Sequence, residues 1–213
     1  MGSSTAVVLA GGASTRFGSD KTAALLDGVT LLDRVVDVAR TAVDDVLVVG
    51  PRAPGSTGSG LGAPESSGSL AEAPGACRQV VEPEPRRGPL GGFAHGLAHV
   101  ESPVVLLLAA DHPHLQPEFL RSLLVRLVEA DGDAAVDAVV PMRDGRSEPL
   151  VAAYCTDVGP VAEQVLAEGG RSMRALLDRL RVDWWAEEDW RRIDPAGASF
   201  DDVDEPGDLD RWP

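Results

Sequence analysis

Short, wholly apolar runs alternate along the chain with longer stretches whose apolar residues recur every three or four positions. This is the pattern of a mostly parallel β-sheet flanked by helices. Ala6 to Leu9 reads as a first buried strand. Leu31, Leu32, Val35, Val36 and Ala39 share one face of a helix, and Val46 to Val49 reads as the next strand, which makes a βαβ unit. Arg78 to Val81 is expected to form a third strand and Gly91 to Val100 a short helix. Val104 to Leu108, the most apolar run, should be a central strand buried on both faces. Pro117 suits the first turn of a helix carrying Leu120, Leu123, Leu124, Leu127 and Val128 on one side, and Ala138 to Val140 resumes as strand. Ser172 is placed to cap a helix on which Met173, Leu176, Leu177 and Leu180 share a face.

One stretch breaks the alternation. Between Pro51 and Gly75 the residues are mainly Gly, Ser, Pro and Ala, with too little apolar surface to offset the entropy of ordering. It reads as a surface loop inserted between two strands of one sheet, within a single domain spanning 1–213.

The chain has 213 residues and a formal net charge of −15, which argues against a general binder of nucleic acid or anionic membranes, because its long-range field repels phosphates. Anionic ligands must therefore meet locally arranged cations. No apolar run reaches the 18 or so residues of a membrane span, and the N-terminus does not read as a signal peptide. A chain of this size needs no covalent staples, so Cys77 and Cys155 fit a reduced cytoplasmic protein. The four Trp read as core or edge packing. His95 and His99 stand one helical turn apart, but no third ligand accompanies them at readable spacing, which favours packing over metal binding.

The chemistry concentrates in Leu9-Ala10-Gly11-Gly12-Ala13-Ser14-Thr15-Arg16-Phe17-Gly18-Ser19-Asp20-Lys21, directly after the first strand. Glycines at a strand's carboxyl end let backbone N–H groups approach a phosphate or a base, and Arg16 and Lys21 supply the cations. The segment is not a P-loop, because Ser19 and Asp20 separate Gly18 from Lys21, and its glycine spacing is not G-x-G-x-x-G. A second feature is Asp111, immediately after the Val104 to Ala110 run, where ligands of open α/β sheets collect. A carboxylate there suits Mg²⁺, which takes one or two protein oxygens and completes its shell with phosphates and water.

Residues 9–21 resemble the opening pattern L-A-G-G-x-S-x-R-M-G-x-D-K of the molybdenum cofactor guanylyltransferases, with Phe17 in the Met position. Gly88-Pro89-Leu90-Gly91-Gly92 is similar to that family's G-P-L-A-G, Asp111-His112-Pro113-His114-Leu115 to its D-x-P-x-L, and Phe200 to Leu209 to its F-x-N-x-N-T-P-E-D-L. The resemblance covers nearly the whole chain outside the 51–75 insertion. It implies a three-layer α/β/α Rossmann-like nucleotidyltransferase fold, of the glycosyltransferase-A-like kind, with a mostly parallel central sheet. It also implies transfer of GMP from GTP to the phosphate of molybdopterin, with Mg²⁺ as cofactor and pyrophosphate as product. Transient contact with cofactor-delivery proteins or molybdoenzymes belongs to the same picture.

Carried over by position, the backbone of Leu9, Ala10 and Gly11 reads the guanine and Gly12 tilts the donor toward GTP. Arg16 contacts phosphate, Lys21 holds the triphosphate, and Asp111 binds the metal. Asp204 is a second candidate metal ligand on an expected C-terminal strand, and Arg171 and Arg174 form a basic segment suited to a phosphorylated pterin. The chain departs from the family at Asp202 and Asp204, which replace Asn, at Glu82, which stands near a nucleotide-contacting aspartate, and at Gly50-Pro51, which replaces an Asn-containing turn. Arg146, Glu148 and Pro149 resemble another family segment, with Glu148 in a variable position, and His112 and His114 flank Pro113 beside Asp111. These departures keep three alternatives open: a molybdenum cofactor cytidylyltransferase, a phospholactate guanylyltransferase, and a nucleotide-binding module without catalysis.

Overall fold

The computed structural model describes residues 2–11, 23–50, 77–81, 88–130, 135–205 and 207–208. Gly12, Arg16, Lys21, Glu82 and the 51–75 insertion lie outside the described residues.

The elements follow the apolar pattern. β1 (Ser4–Leu9) leads through a small hairpin of β2 (Leu25–Leu26) and β3 (Val29–Thr30) into α1 (Leu31–Arg40) and β4 (Asp45–Gly50). Then come β5 (Cys77–Val81), α2 (Gly88–Leu97), β6 (Val104–Ala109) and α3 (Pro117–Glu129). β7 (Ala138–Arg143), β8 (Arg146–Ser147) and β9 (Val151–Cys155) are followed by α4 (Gly159–Ala167), α5 (Met173–Leu177), β10 (Val182–Trp185) and α6 (Glu187–Trp190). The sheet order is β10-β7-β9-β6-β1-β4-β5, with β8 paired to β7. β1 pairs parallel with β4 and β6, β4 with β5, and β7 with β10, whereas β9 runs antiparallel to both β6 and β7.

Alternate residues of the central strands feed two separate cores, as a period of two requires. Ala6, Val8, Val46, Val48, Leu106 and Leu108 pack under α1 and α3, while Val7, Leu9, Leu47, Val49, Val105 and Leu107 pack under α2, α4 and α5. The expected mostly parallel α/β sheet flanked by helices is therefore what the chain forms.

Local chemistry sets the element ends. Thr30 caps α1 by accepting from the Asp33 amide at 3.0 Å, and Ser172 caps α5 by accepting from Ala175 at 3.3 Å. Three internal glycines make α2 a weak helix former on its own. Their value is close approach, since a methyl on Gly96 would stand 2.7 Å from a Val7 side-chain carbon on β1.

Several expectations need correction. α2 spans Gly88–Leu97 rather than 91–100, because the helix starts as soon as the Gly-Pro pair permits. Val128 does not face the core: it is 43% exposed, and Phe119 takes the expected place on the stripe. α5 ends at Leu177, so Leu180 packs from beyond the helix. Residues 201–204 form no strand. Their carboxylates reach the site on an irregular arm. Among the described Trp residues, Trp185 and Trp190 are core, while Trp184 is 48% exposed.

Two Asp-Gly pairs close tight hairpins that the apolar pattern does not mark. Asp27-Gly28 joins β2 to β3 and Asp144-Gly145 joins β7 to β8, each with positive φ at both residues. That is the requirement of the two-residue turn which Asp-Gly favours. Among the described helices none is long and apolar enough to cross a membrane.

Candidate active site

Because β1, β4, β6 and β7 point the same way, their carboxyl ends share one edge of the sheet. β1 ends at Leu9, and Ala10 is fixed there by its amide donating to the Val49 carbonyl at 2.8 Å. The amide of Ala110 donates in turn to the Leu9 carbonyl at 3.1 Å. The exits of β1 and β6 are thus tied side by side, which brings the backbone of Leu9, Ala10 and Gly11 alongside Asp111.

Asp111 keeps its side chain 30% exposed, and its Oδ1 lies 3.0 Å from Nδ1 of the mostly buried His112. A carboxylate only accepts, so Nδ1 carries the hydrogen and the ring orientation is fixed. The segment after Phe200 closes onto this point. The Val203 amide donates to the Asp111 carbonyl at 3.0 Å, and Asp208, 8% exposed, accepts from the amides of Asp204 and Glu205 at 2.9 and 2.8 Å. Burial, and then the nearby Asp204, push the Asp202 carboxyl above its ordinary range; Asp111 adds to that shift and His112 opposes it. Asp111, His112, Asp202 and Asp204 therefore form one electrostatic group.

The arm rests on a buried support. Asp194, 3% exposed, accepts from the amides of Ala198 and Ser199 at 3.1 and 2.8 Å. Ser199 Oγ accepts from the Gln116 amide at 3.0 Å, which ties this turn to the N-terminus of α3. Phe200 packs against Trp190 and Phe119 with ring centroids 4.9 and 5.2 Å away, and Trp190 donates its indole N–H to the Met142 carbonyl at 2.9 Å. Arg143, at the end of β7, donates to the Phe200 carbonyl at 2.8 Å. None of Asp194, Ser199 or Arg143 was singled out from sequence, since a buried Asp that ties amides four and five residues ahead has no apolar period to betray it.

On the other side of the edge, Gly88 opens α2 with φ +72°, and a methyl there would stand 2.6 Å from the Arg171 carbonyl oxygen. This contact seats the Gly169 to Arg174 segment beside the start of α2. The side chains of Arg171 and Arg174 are exposed there.

A cavity of about 320 Å³ opens at the β7–β8 hairpin, lined by Arg143, Asp144, Arg146 and Glu148. Burial pushes the Glu148 carboxyl above its ordinary value, with His112 and Arg143 opposing the shift and Asp202 adding to it. The cavity therefore lies within electrostatic reach of the Asp111 group. Burial also lowers the pKa of His114. His95 and His99 pack edge to face with centroids 5.0 Å apart, away from this edge on α2 and its C-terminal turn.

Mg²⁺ is compatible with this donor set. The acidic group offers oxygen ligands only, and the mutual crowding of Asp111, Asp202 and Asp204 is the field that a cation relieves. Among the described residues no three acidic, His or Cys side chains converge as an all-protein metal cage. A cation sharing its shell with substrate phosphates needs only one or two carboxylates.

Solved structures share the fold. A molybdopterin-guanine dinucleotide biosynthesis protein A from Archaeoglobus fulgidus superimposes with a TM-score of 0.70 at 23% identity, covering 97% of this chain and 95% of that one. A 2-C-methyl-D-erythritol 4-phosphate cytidylyltransferase from Thermus thermophilus gives a TM-score of 0.60 at 17% identity, covering 99% and 97%. The fold is thus that of a nucleotidyltransferase. Residues 6–184 match the family described as the MobA-like NTP transferase domain, and the chain belongs to that family. A probable molybdenum cofactor guanylyltransferase from a Nostoc species is 37% identical over 182 residues, 85% of this chain and 80% of its own. One from Bacillus cytotoxicus is 28% identical over 193 residues, 89% and 87% of the two chains.

Proposed function

We propose that this nucleotidyltransferase moves GMP from GTP to the phosphate of molybdopterin. An acceptor phosphate oxygen attacks the α-phosphorus, a new P–O–P linkage forms, the bond between the α- and β-phosphates breaks, and pyrophosphate leaves. The observation that carries the reading is the placement of Asp111 at the exit of β6, tied to the β1 exit on one side and to the Asp202–Asp204 arm on the other. The relatives' names supply the guanylyl donor and the molybdenum cofactor acceptor.

The acceptor phosphate is already an anionic nucleophile, so the protein's work is alignment and charge neutralisation rather than proton abstraction. The backbone from Leu9 to Gly11 reads the base, and Arg16 and Lys21, assigned from the sequence motif, hold the phosphates. Arg16 presents a fork that binds two phosphate oxygens together. Asp111 and Asp204 are the residues that would hold Mg²⁺, which supplies neutralisation of the phosphate charge when bound. His112 keeps the Asp111 carboxylate in one orientation. Arg171 and Arg174, free of ion pairs among the described residues, face the acceptor's phosphate. The thiol state of Cys77 and Cys155 fits a reducing compartment, and we place the reaction in the cytoplasm.

Thermal unfolding with Mg²⁺ and saturating GTP, CTP or ATP tests the donor, since a ligand at a hundred times its Kd stabilises by about 2.7 kcal/mol. A rise selective for GTP is expected, followed by pyrophosphate release on addition of molybdopterin. A rise selective for CTP or ATP, or release with another phosphorylated acceptor only, would overturn the assignment.

A further inference from the structure

The cavity at the β7–β8 hairpin takes no part in holding the donor or the metal, and like charges oppose each other beside it. Arg143 and Arg146 stand directly opposite each other across the hairpin. A like-charged cross-strand pair weakens a sheet rather than supporting it. Arg143 is anchored by its bond to the Phe200 carbonyl, whereas Arg146 makes no hydrogen bond or ion pair among the described residues. Glu148, two positions beyond Arg146, is half-buried, and its carboxylate likewise has no hydrogen-bond partner among the described residues. Its backbone is held in place by its amide donating to the Pro141 carbonyl at 2.9 Å. Tyr154 fixes the next residue by donating to the Pro149 carbonyl at 2.9 Å. A fixed, half-buried carboxylate and an unpaired guanidinium thus line one cavity of about 320 Å³, which lies at the small end of ligand-pocket sizes.

The charges decide the ligand class. Two arginines alone would suit a phosphate, but among the described residues Glu148 and Asp144 line the same cavity and balance them. The complement is a neutral, flat heterocycle that presents donors to a carboxylate and a carbonyl to a guanidinium. A 2-amino-4-oxopyrimidine edge has this pattern: its ring N–H and exocyclic amine face Glu148, and its carbonyl faces Arg146.

We propose that the Arg146–Glu148 cavity binds the aminopyrimidinone edge of the acceptor's pterin; this rests on the transfer reaction above and specifies the acceptor's seat. Guanine carries the same edge, but position separates the two. The cavity is on β7, with β9 and β6 lying between it and β1. A base read at Leu9 to Gly11 is therefore three strand spacings away, about 14 Å. The order along the edge becomes base at β1, reacting phosphates at the β6 exit, and pterin at β7–β8.

The test is equilibrium binding of pterin and of lumazine to the full chain, followed by their fluorescence. Lumazine replaces the 2-amino group with a carbonyl, which would set an oxygen against Glu148. The wild-type protein should prefer pterin by about tenfold or more, Glu148→Gln should abolish that preference, and Arg146→Gln should weaken both ligands. Saturating GTP should leave pterin binding in place. Equal binding of pterin and lumazine to the wild type, unchanged preference in Glu148→Gln, or displacement of pterin by GTP would overturn the proposal. The GTP-induced rise in unfolding temperature, measured on the same samples, keeps the two readings apart. Pterin preference without that rise would retain the cavity and sink the guanylyl donor, and the rise without pterin preference would do the reverse.

Discussion

The Val203 amide donates to the Asp111 carbonyl at 3.0 Å, so the backbone of Asp111 helps to hold the C-terminal arm against the sheet. Structure and chemistry are thereby divided within one residue. Asp111→Asn should leave the arm docked and the unfolding temperature close to wild type, while pyrophosphate release falls at least about a hundredfold through loss of charge at the phosphates. A variant with a near-normal rate would remove Asp111 from the reaction.

The arm's position depends on Asp194, whose two carboxylate oxygens accept the amides of Ala198 and Ser199 from a site 3% exposed. Asp194→Ala leaves a buried and a part-buried amide without their acceptor and should cost about 2–4 kcal/mol. Asp194→Asn retains one oxygen acceptor and should cost less. Denaturant unfolding of the two variants checks the ranking, and equal losses would point to the charge rather than the acceptors.

Gly88 is fixed by position. At φ +72°, and with the Arg171 carbonyl oxygen 2.6 Å from where a methyl would stand, Gly88→Ala must either strain the start of α2 or push the Gly169 to Arg174 segment away. We expect a loss of about 1–3 kcal/mol. Because Arg171 and Arg174 move with that segment, KM for the acceptor should rise more than KM for GTP. A rise confined to GTP would detach the two arginines from acceptor binding.

What the sequence disclosed, and what it hid, follows from the range over which each feature is encoded. β1, β4 and β6 carry the apolar runs Ala6–Leu9, Val46–Val49 and Val104–Ala109, legible because burial on both faces selects against polar residues there. The antiparallel β9 is apolar too, in Val151 to Cys155, yet nothing local says that it inserts between β6 and β7 against the direction of both. The Asp-Gly hairpins are encoded locally, since the pair itself favours positive φ at both turn positions. At the site, Asp111 could be placed because it follows a strand directly. The Asp194 support and the pairing of Arg143 opposite Arg146 could not, since the first carries no apolar period and the second depends on the register of the hairpin.

Trp190 is fully buried and joins Phe119 and Phe200 while its indole donates to the Met142 carbonyl at 2.9 Å. Trp190→Phe keeps much of the packing but orphans that carbonyl, and should cost about 1–3 kcal/mol. Trp190→Ala adds a cavity and should cost about 3–5 kcal/mol. If the two variants unfold at the same denaturant concentration, the hydrogen bond rather than the volume dominates.

Burial raises the Glu148 carboxyl above its ordinary value of 4.5 in the folded protein, so the folded state holds this proton more tightly than the unfolded chain does. Stability from that proton is therefore full below about pH 4.5, the unfolded value, and is lost as pH rises through the raised folded value. As pH rises through that folded value, the wild type takes on the cost of ionising a half-buried carboxylate, which the isosteric amide of Glu148→Gln avoids. The variant should thus unfold at a higher temperature than wild type at pH 7, and the difference should vanish below pH 4.5. Parallel thermal scans at the two pH values decide it. A variant less stable than wild type at pH 7 would mean that the ionised Glu148 is held by favourable charges, His112 and Arg143 foremost, strongly enough to outweigh its burial.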